Sequence, residues 1–209
     1  QNIIKKQNSP LIKLYSLPSN TGPSAARNIG LKAAKGEYVF FLDADDTIST
    51  STLKILYNHA KENDFDLVFS DKKRIENSQN QRENIFVYPA DKTFNNSDIT
   101  EAIKQRISDP LHTHGVVGLH GKLIKRSIIS RNNLSFEEEL RFFEDEVLMF
   151  DILAFTRSMK YVRKQLYTYN INSNRNVKSA RTEAFVRPFP ISYFKLMKDR
   201  QLQLIYVDS

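Results

Sequence analysis

The feature that most constrains this chain is an apolar run that ends in three carboxylates. Residues 38–42 are apolar, and Asp43, Asp45 and Asp46 follow within four positions. A buried strand with this pattern brings its acids to the edge of a sheet, where ligands bind in α/β folds. Alternate residues of an extended segment point to the same side, so Asp43 and Asp45 are expected to converge on one ligand. A hard divalent cation, Mg²⁺ or Mn²⁺, is expected between these mutually repelling acids, while the alternative for Asp46 is to cap the next helix.

Composition limits the classes of protein that remain. The 209 residues are enough for one substantial domain with its own core, and they contain no cysteine. Disulfides, thiol catalysis and cysteine-ligated zinc are therefore excluded. The net charge of +7 comes from scattered Lys and Arg residues, which favours a solvated basic surface over a nucleic-acid-binding arm.

Hydrophobic periodicity predicts alternating strands and helices. A strand at 12–17, a helix at 24–34 and a strand at 37–43 predict a βαβ unit, which implies parallel pairing and a right-handed crossover. The remaining predicted elements are a helix after Thr52, a strand at 66–70 with an antiparallel partner near 85–88, a helix at 97–108 capped by Ser97, a strand and helical turn within 122–132, a buried helix at 144–156, a strand at 161–169 and an amphipathic helix within 181–200.

A second motif lies between the first predicted strand and helix. Its sequence, from Asn20 to Gly30, is NTGPSAARNIG. A strand end, a glycine turn and a helix N-terminus together create a binding site for an anion. Arg27 lies one turn into the helix, where it is expected to reach a phosphate. The alternative is an ordinary helix start with a surface arginine.

Two further groups carry titratable side chains. Glu144, Asp145 and Glu146 open the predicted buried helix, which suits a carboxylate general base on a rigid element. The alternative is that these acids only stabilise the helix dipole. The histidines His112, His114 and His120 suggest a metal or acceptor site, but without paired carboxylates their spacing favours loop residues with no metal role.

Several motifs in one order resemble a known family. They are NxGxxxARNxG at 20–30, AxGEY at 34–38, FLDADD at 41–46, GKL at 121–123, Phe136, EDE at 144–146 and LYxY at 166–169. Together they resemble the inverting family 2 glycosyltransferases of bacterial surface polysaccharides, which have the GT-A fold. The resemblance extends from about residue 12 to about residue 175.

This resemblance implies roles for individual residues. It implies sugar transfer from a nucleotide-diphosphate donor to a glycan or lipid-linked acceptor on the cytoplasmic side, with possible peripheral membrane contact. Asp43 matches the acid on the donor ribose, and Asp45 matches the ligand of Mn²⁺ or Mg²⁺. Asp145 matches the catalytic base, and Glu144 matches its neighbour at the acceptor site. The other expected donor-binding residues are Asn20, Gly22 and Arg27.

The resemblance also sets the expected fold and boundaries. It implies a GT-A, Rossmann-like α/β domain with a mixed, mainly parallel sheet flanked by helices. Residues 1–180 are expected to form this domain in partial form, and 181–209 a helical extension. The family begins with a strand, a helix and a strand ending in an Asp-Asp-Gly-Ser motif, which bind the base of the donor. Those elements have no counterpart in this sequence, so we expect an N-terminally truncated chain that is inactive alone.

Two other classes remain open from the sequence. The segment FFLDADDT at 40–47 resembles the first motif of haloacid dehalogenase-type phosphatases, in which Asp43 would be the nucleophile and Asp45 the general acid and base. That alternative leaves the motif at 20–30 unexplained. A non-catalytic remnant of a transferase domain is the third possibility, and the intact acids at 43, 45 and 145 argue against it.

Overall fold

The structure is a computed structural model that describes residues 10–76, 81–85, 87–108, 116–140 and 143–171. The helices in these ranges are α1 (Pro23–Ala33), α2 (Thr52–Glu62), α3 (Asn96–Ser108), α4 (Arg126–Arg131) and α5 (Glu144–Ala154). The strands are β1 (Tyr38–Phe40), β2 (Thr47–Ile48), β3 (Leu67–Glu76), β4 (Gln81–Ile85), β5 (Lys92–Phe94), β6 (Lys122–Lys125) and β7 (Met159–Ile171).

The strands form one mixed sheet. Its order is β1-β6-β3-β7-β2, with β4 beside β3 and β5 beside β7. The central pair β3 and β7 is parallel, whereas the other five pairs among the described strands are antiparallel. The prediction of a mixed α/β sheet flanked by helices is confirmed, but the expectation of a mainly parallel sheet is wrong for these strands. The reason is that β6 runs antiparallel between β1 and β3, while β4 turns back along β3.

The predicted βαβ unit at the N-terminus does not form within the described residues. Residues 12–17 are mostly exposed and pair with no described strand, with Leu14 50% and Tyr15 53% exposed. A single extended segment without a partner leaves its backbone groups to water, so weak alternation alone does not make a strand. Strand β1 is also shorter than predicted and pairs antiparallel with β6.

The predicted helices at 24–34, 97–108 and 144–156 are confirmed to within about two residues, which is the usual uncertainty of helix ends. Helix α1 begins at Pro23, whose fixed φ suits a first helical position. The expected cap of α3 is wrong, because Asn95 and not Ser97 closes its start. The Asn95 side chain accepts from the Asp98 N–H at 3.0 Å, and Asp98 accepts from the Asn95 N–H at 3.1 Å.

The core lies on both faces of β3. Leu67 and Phe69 pack in a cluster that contains the buried residues of α3 and α5, whereas Val68 packs on the opposite face with Leu56 of α2. Alternate residues of a strand point to opposite faces, which explains the division. Helix α5 is almost entirely buried after its first turn, so the acids at its start stand on a fixed element.

Some predictions fall outside the described residues, among them those for His112, His114, the helix within 181–200 and the boundary at 180. Within the ranges given above, every helix is too short or too polar to cross a membrane.

Candidate active site

A cleft of about 270 Å³ lies between the start of α1 and the segment after β1. Helix α1 contributes Pro23, Ala26 and Arg27 to its walls, and residues 41–44 form the opposite side. The cleft therefore joins two segments that the sequence predicted to bind the donor. Asn20 and Gly22 are not among its lining residues.

Asn20 and Gly22 instead shape the turn that precedes α1. The Asn20 side-chain oxygen accepts a hydrogen bond from the Gly22 N–H at 3.1 Å. Gly22 has φ +91°, a conformation that residues with a Cβ rarely adopt. The turn leads the backbone into α1, whose first N–H groups lack partners within the helix. These two residues thus set the direction of α1 and of Arg27.

Arg27 connects the two acidic groups of the sequence. Its Nη2 donates to Asp43 Oδ1 at 2.8 Å, and its Nη1 donates to Glu144 Oε1 at 2.8 Å. Burial lowers the pKa of Arg27, but the two carboxylates outweigh that effect and raise this pKa above its usual value. The guanidinium is thus a fixed positive charge between the segment after β1 and the start of α5.

Asp43 contacts two basic side chains from different parts of the chain. Its Oδ1 accepts from Arg27, and its Oδ2 lies 3.3 Å from His120 Nε2. The hydrogen bond with His120, followed by that with Arg27, holds the pKa of Asp43 well below its usual range despite partial burial. Asp43 is therefore an ionised carboxylate at the rim of the cleft.

Asp45 and Asp46 differ in exposure although they are adjacent. Asp46 is buried, with one oxygen accepting from Tyr167 Oη at 2.5 Å and the other from the Asn170 N–H at 3.0 Å. The suggestion that Asp46 caps the next helix is wrong, because these bonds attach it to β7. Asp45 is exposed, and its carbonyl oxygen accepts from the Asn170 side chain at 2.8 Å.

One group of side chains in the described ranges has the composition of a cation site. Asp43, Asp46 and His120 each offer a ligand atom, and these atoms lie within 4.8 Å of one another. Carboxylate oxygens with an imidazole nitrogen suit Mn²⁺, and each carboxylate oxygen retains a lone pair beyond the hydrogen bond it accepts. The residues present therefore fit a divalent cation. Asp45, which the resemblance implied as metal ligand, does not belong to this group.

Asp145 lies beside Glu144 at the start of α5, and its charge acts on Lys72 and Lys122. Burial lowers the pKa of Lys72 and holds that of Lys122 well below its usual range, and the charge of Asp145 only partly opposes this effect. Lys122 is fully buried, and its Nζ lies 5.1 Å from the centre of the Phe69 ring. The structure thus places Asp145 near two lysines and brings Glu144 to Arg27.

Two other residues of the sequence motifs have structural roles. The Asn28 side chain accepts from the Phe136 N–H at 2.8 Å and donates to the Phe136 carbonyl at 3.0 Å. This pair holds α1 against the segment before α5. Gly121 has φ +71°, so a residue with a Cβ would be strained there, although that Cβ would lie at an ordinary contact distance of 3.4 Å from the Cβ of Tyr167.

Sequence reasoning did not assign two residues that the structure places in the site. The sequence pattern groups His120 with His112 and His114, and it gives Tyr167 only as part of the motif at 166–169. The His120 ring lies against Tyr167 and Tyr169, with ring centres 5.5 and 5.6 Å away. Alternation along β7 places Tyr167 and Tyr169 on one face, and that pattern could have indicated a shared surface.

Comparison with known proteins identifies the family of this chain. The sequence pattern described as Glycosyl transferase family 2 matches residues 1–131. The chain is 34% identical over 165 residues to the cholesterol galactosyltransferase of Borreliella burgdorferi, with 75% of this chain and 44% of the relative covered. The chain belongs to glycosyl transferase family 2, as the motifs predicted.

A second relative comes from a different bacterium. The poly(ribitol-phosphate) beta-N-acetylglucosaminyltransferase TarP of Staphylococcus aureus is 32% identical over 174 residues, covering 83% of this chain and 48% of TarP. The chain spans about half the length of these curated relatives. The family match does not favour the phosphatase or the non-catalytic alternative.

Solved structures support the fold. Residues 1–349 of S. aureus TarS in complex with UDP-GlcNAc superpose with a TM-score of 0.67 at 22% identity, covering 85% of this chain and 48% of that one. A second crystal structure of residues 1–349 of TarS gives a TM-score of 0.64 at 24% identity. The chain has the GT-A fold, which confirms the predicted fold class.

Proposed function

We propose that the protein transfers a sugar from a nucleoside-diphosphate sugar to a hydroxyl group of a glycan or lipid-linked acceptor, with inversion at the anomeric carbon. The observation that carries this proposal is the double ion pair of Arg27. It joins Asp43, on the expected donor side, to Glu144, on the expected acceptor side, across one guanidinium. A single site that holds both reactants is the requirement for direct transfer.

In this proposal Arg27 and the segment after β1 bind the donor. Arg27 lies on α1 and lines the cleft, so its guanidinium is suited to bind a diphosphate oxygen there. Asp43, Asp46 and His120 would hold Mn²⁺ or Mg²⁺, with the exposed Asp45 between the two acids in sequence. When bound, that cation neutralises charge on the leaving diphosphate.

Asp145 is the proposed general base. It accepts the proton of the acceptor hydroxyl while the oxygen forms a bond to the anomeric carbon, and the carbon–oxygen bond to the diphosphate breaks with its electron pair. Attack from the side opposite the leaving group inverts the configuration. The buried remainder of α5 holds the carboxylate still, which favours a productive geometry. Glu144 is proposed to contact the acceptor once Arg27 turns toward the diphosphate.

The test is Asp145→Asn in the natural protein. Asparagine has the same shape but accepts no proton, so we expect sugar transfer to fall by about 10²–10⁴-fold. Donor affinity, measured by calorimetry with Mn²⁺, is expected to stay within about twofold, because the donor contacts lie elsewhere. The matched control is Glu139→Gln at an exposed acid, which should leave both quantities unchanged. Transfer that survives in the Asp145 variant would contradict the assignment of the base.

Metal dependence has a separate test. Treatment with a chelator is expected to weaken donor binding, and added Mn²⁺ is expected to restore it. Donor affinity that is equal with and without the chelator would remove the cation from the proposal and leave the base assignment standing.

A further inference from the structure

Glu146, the third acid of the first turn of α5, is tied to a different helix. Arg106 lies in the last turn of α3, and its Nη2 donates to both carboxylate oxygens of Glu146, at 2.7 and 2.9 Å. The Arg106 side chain is only 8% exposed and that of Glu146 16% exposed. This ion pair is therefore largely withdrawn from water and connects α3 to the start of α5.

The start of α5 has an unusual backbone conformation. The N-cap residue Phe143 has φ +65°, in the left-handed region, and among the described residues no side-chain hydrogen bond caps the helix. A non-glycine residue in this conformation is strained, and it persists only when surrounding contacts enforce it. Side-chain contacts of the first turn therefore determine how the helix start is oriented.

The ion pairs of this turn point in different directions. Glu144 pairs with Arg27 of α1, whereas Glu146 pairs with Arg106 of α3. Asp145 lies between the two in sequence. Binding of a diphosphate by Arg27 would loosen the first of these contacts, whereas the pair between Arg106 and Glu146 is a contact for which the donor does not compete.

A partly buried ion pair contributes little net free energy to folding. Two charges lose most of their hydration when they are buried, and apolar side chains of similar volume often hold helices together as well or better. What an ion pair adds is a fixed relative orientation of the two groups. Glu146 directly follows the proposed base, so a fixed orientation of Glu146 also constrains the Asp145 carboxylate.

We propose that Arg106 is a positioning residue of the transfer reaction, which holds Glu146 and thereby fixes the first turn of α5 and the direction of the Asp145 carboxylate. This inference rests on the proposed function, since it takes Asp145 as the base. In this inference Arg106 acts through Glu146 and touches neither reactant.

The first test is Arg106→Met in the natural protein, with kcat, KM and donor affinity measured. A misdirected base is expected to lower kcat by about 10–100-fold, with KM and donor affinity changed by no more than about twofold. Arg106→Lys keeps the charge and is expected to recover part of kcat. Arg131→Met, at an exposed position on α4, is the control and should match the wild type.

The double variant Arg106→Met with Glu146→Met separates positioning from stability. Because it removes both charges of the pair together, we expect it to melt at or above the temperature of the single variant. Its kcat is expected to stay low, since orientation is lost. A kcat that recovers together with the melting temperature would overturn the inference and show a purely structural pair, as would wild-type kcat in folded Arg106→Met.

Comparison with Asp145→Asn separates this inference from the proposed function. If Asp145→Asn loses transfer while Arg106→Met keeps it, the base stands and the positioning role is wrong. If Asp145→Asn keeps transfer, the proposed base is wrong and the positioning role falls with it.

Discussion

Two acidic groups of this chain look alike in sequence and behave differently in the structure. Asp43, Asp45 and Asp46 follow β1 in an irregular segment, whereas residues 144–146 open the buried helix α5. In the first group one acid is buried, one is exposed and one is half-buried at the rim of the cleft. In the second group all three are half-buried.

The difference follows from the backbone. An irregular segment lets Asp46 turn inward to Tyr167 while Asp45 stays in water. A helix rotates about 100° per residue, so its successive acids must face different neighbours. On helix α5, Glu144 therefore pairs with Arg27 of α1, and Glu146 pairs with Arg106 of α3. In the first group the buried acid is held by β7 while the others face the cleft or water, and the second group places one acid between two ion-paired neighbours.

The largest expected effect concerns the buried acid of the first group. Asp46→Ala removes the partner of Tyr167 and of the Asn170 N–H in a buried site, so the free energy of unfolding should fall by about 2–4 kcal/mol. Asp45→Ala, at an exposed position, should change it by less than about 0.5 kcal/mol. Urea denaturation of both variants measures this contrast. Equal losses would show that the two acids do not differ in role.

The next effect concerns the residue that joins the two groups. Arg27→Gln leaves Asp43 and Glu144 without their shared cation, and we expect a loss of about 1–2 kcal/mol in unfolding free energy. Donor affinity should also fall, by about tenfold, if the guanidinium binds a phosphate. Lys32→Gln, at an exposed site on the same helix, is the control. Unchanged donor affinity in Arg27→Gln would limit Arg27 to a structural role.

The smallest expected effect is a pH dependence. The pKa of Asp43 is lower in the folded protein than in the unfolded chain, so Asp43 contributes stability that is present above about pH 4 and is lost as the pH falls through its folded value. Asp43→Asn should therefore lose less stability than the wild type between about pH 4 and pH 2. Thermal melting across this range measures it, and identical acid sensitivity of both proteins would argue against the depressed pKa.

Local patterns predicted much of the fold, because they report on local geometry. The periodicity of residues 144–156 and Pro23 at a helix start are properties of short segments, and both predicted helices form. The strand at 12–17 failed because a strand depends on a partner that its own sequence does not specify. The antiparallel insertion of β6 between β1 and β3 depends on distant pairing for the same reason.

The candidate site shows the same limit. The acids and Arg27 were found from motifs, since charge after an apolar run is a local signal. The contacts of His120 with Asp43 and of Tyr167 with Asp46 join residues 77 and 121 positions apart. No local pattern records such separations, so the inward turn of Asp46 could not be predicted.

The central claim is that the acids after β1 serve the donor and those at the start of α5 serve the chemistry. A crystal structure of the natural protein with Mn²⁺ and the nucleoside diphosphate that a binding screen selects tests this most directly. We predict Mn²⁺ on carboxylates of the first group, the diphosphate against Arg27, and Asp145 free of both. Mn²⁺ or diphosphate bound by residues 144–146, with Arg27 still paired to Asp43, would contradict the account.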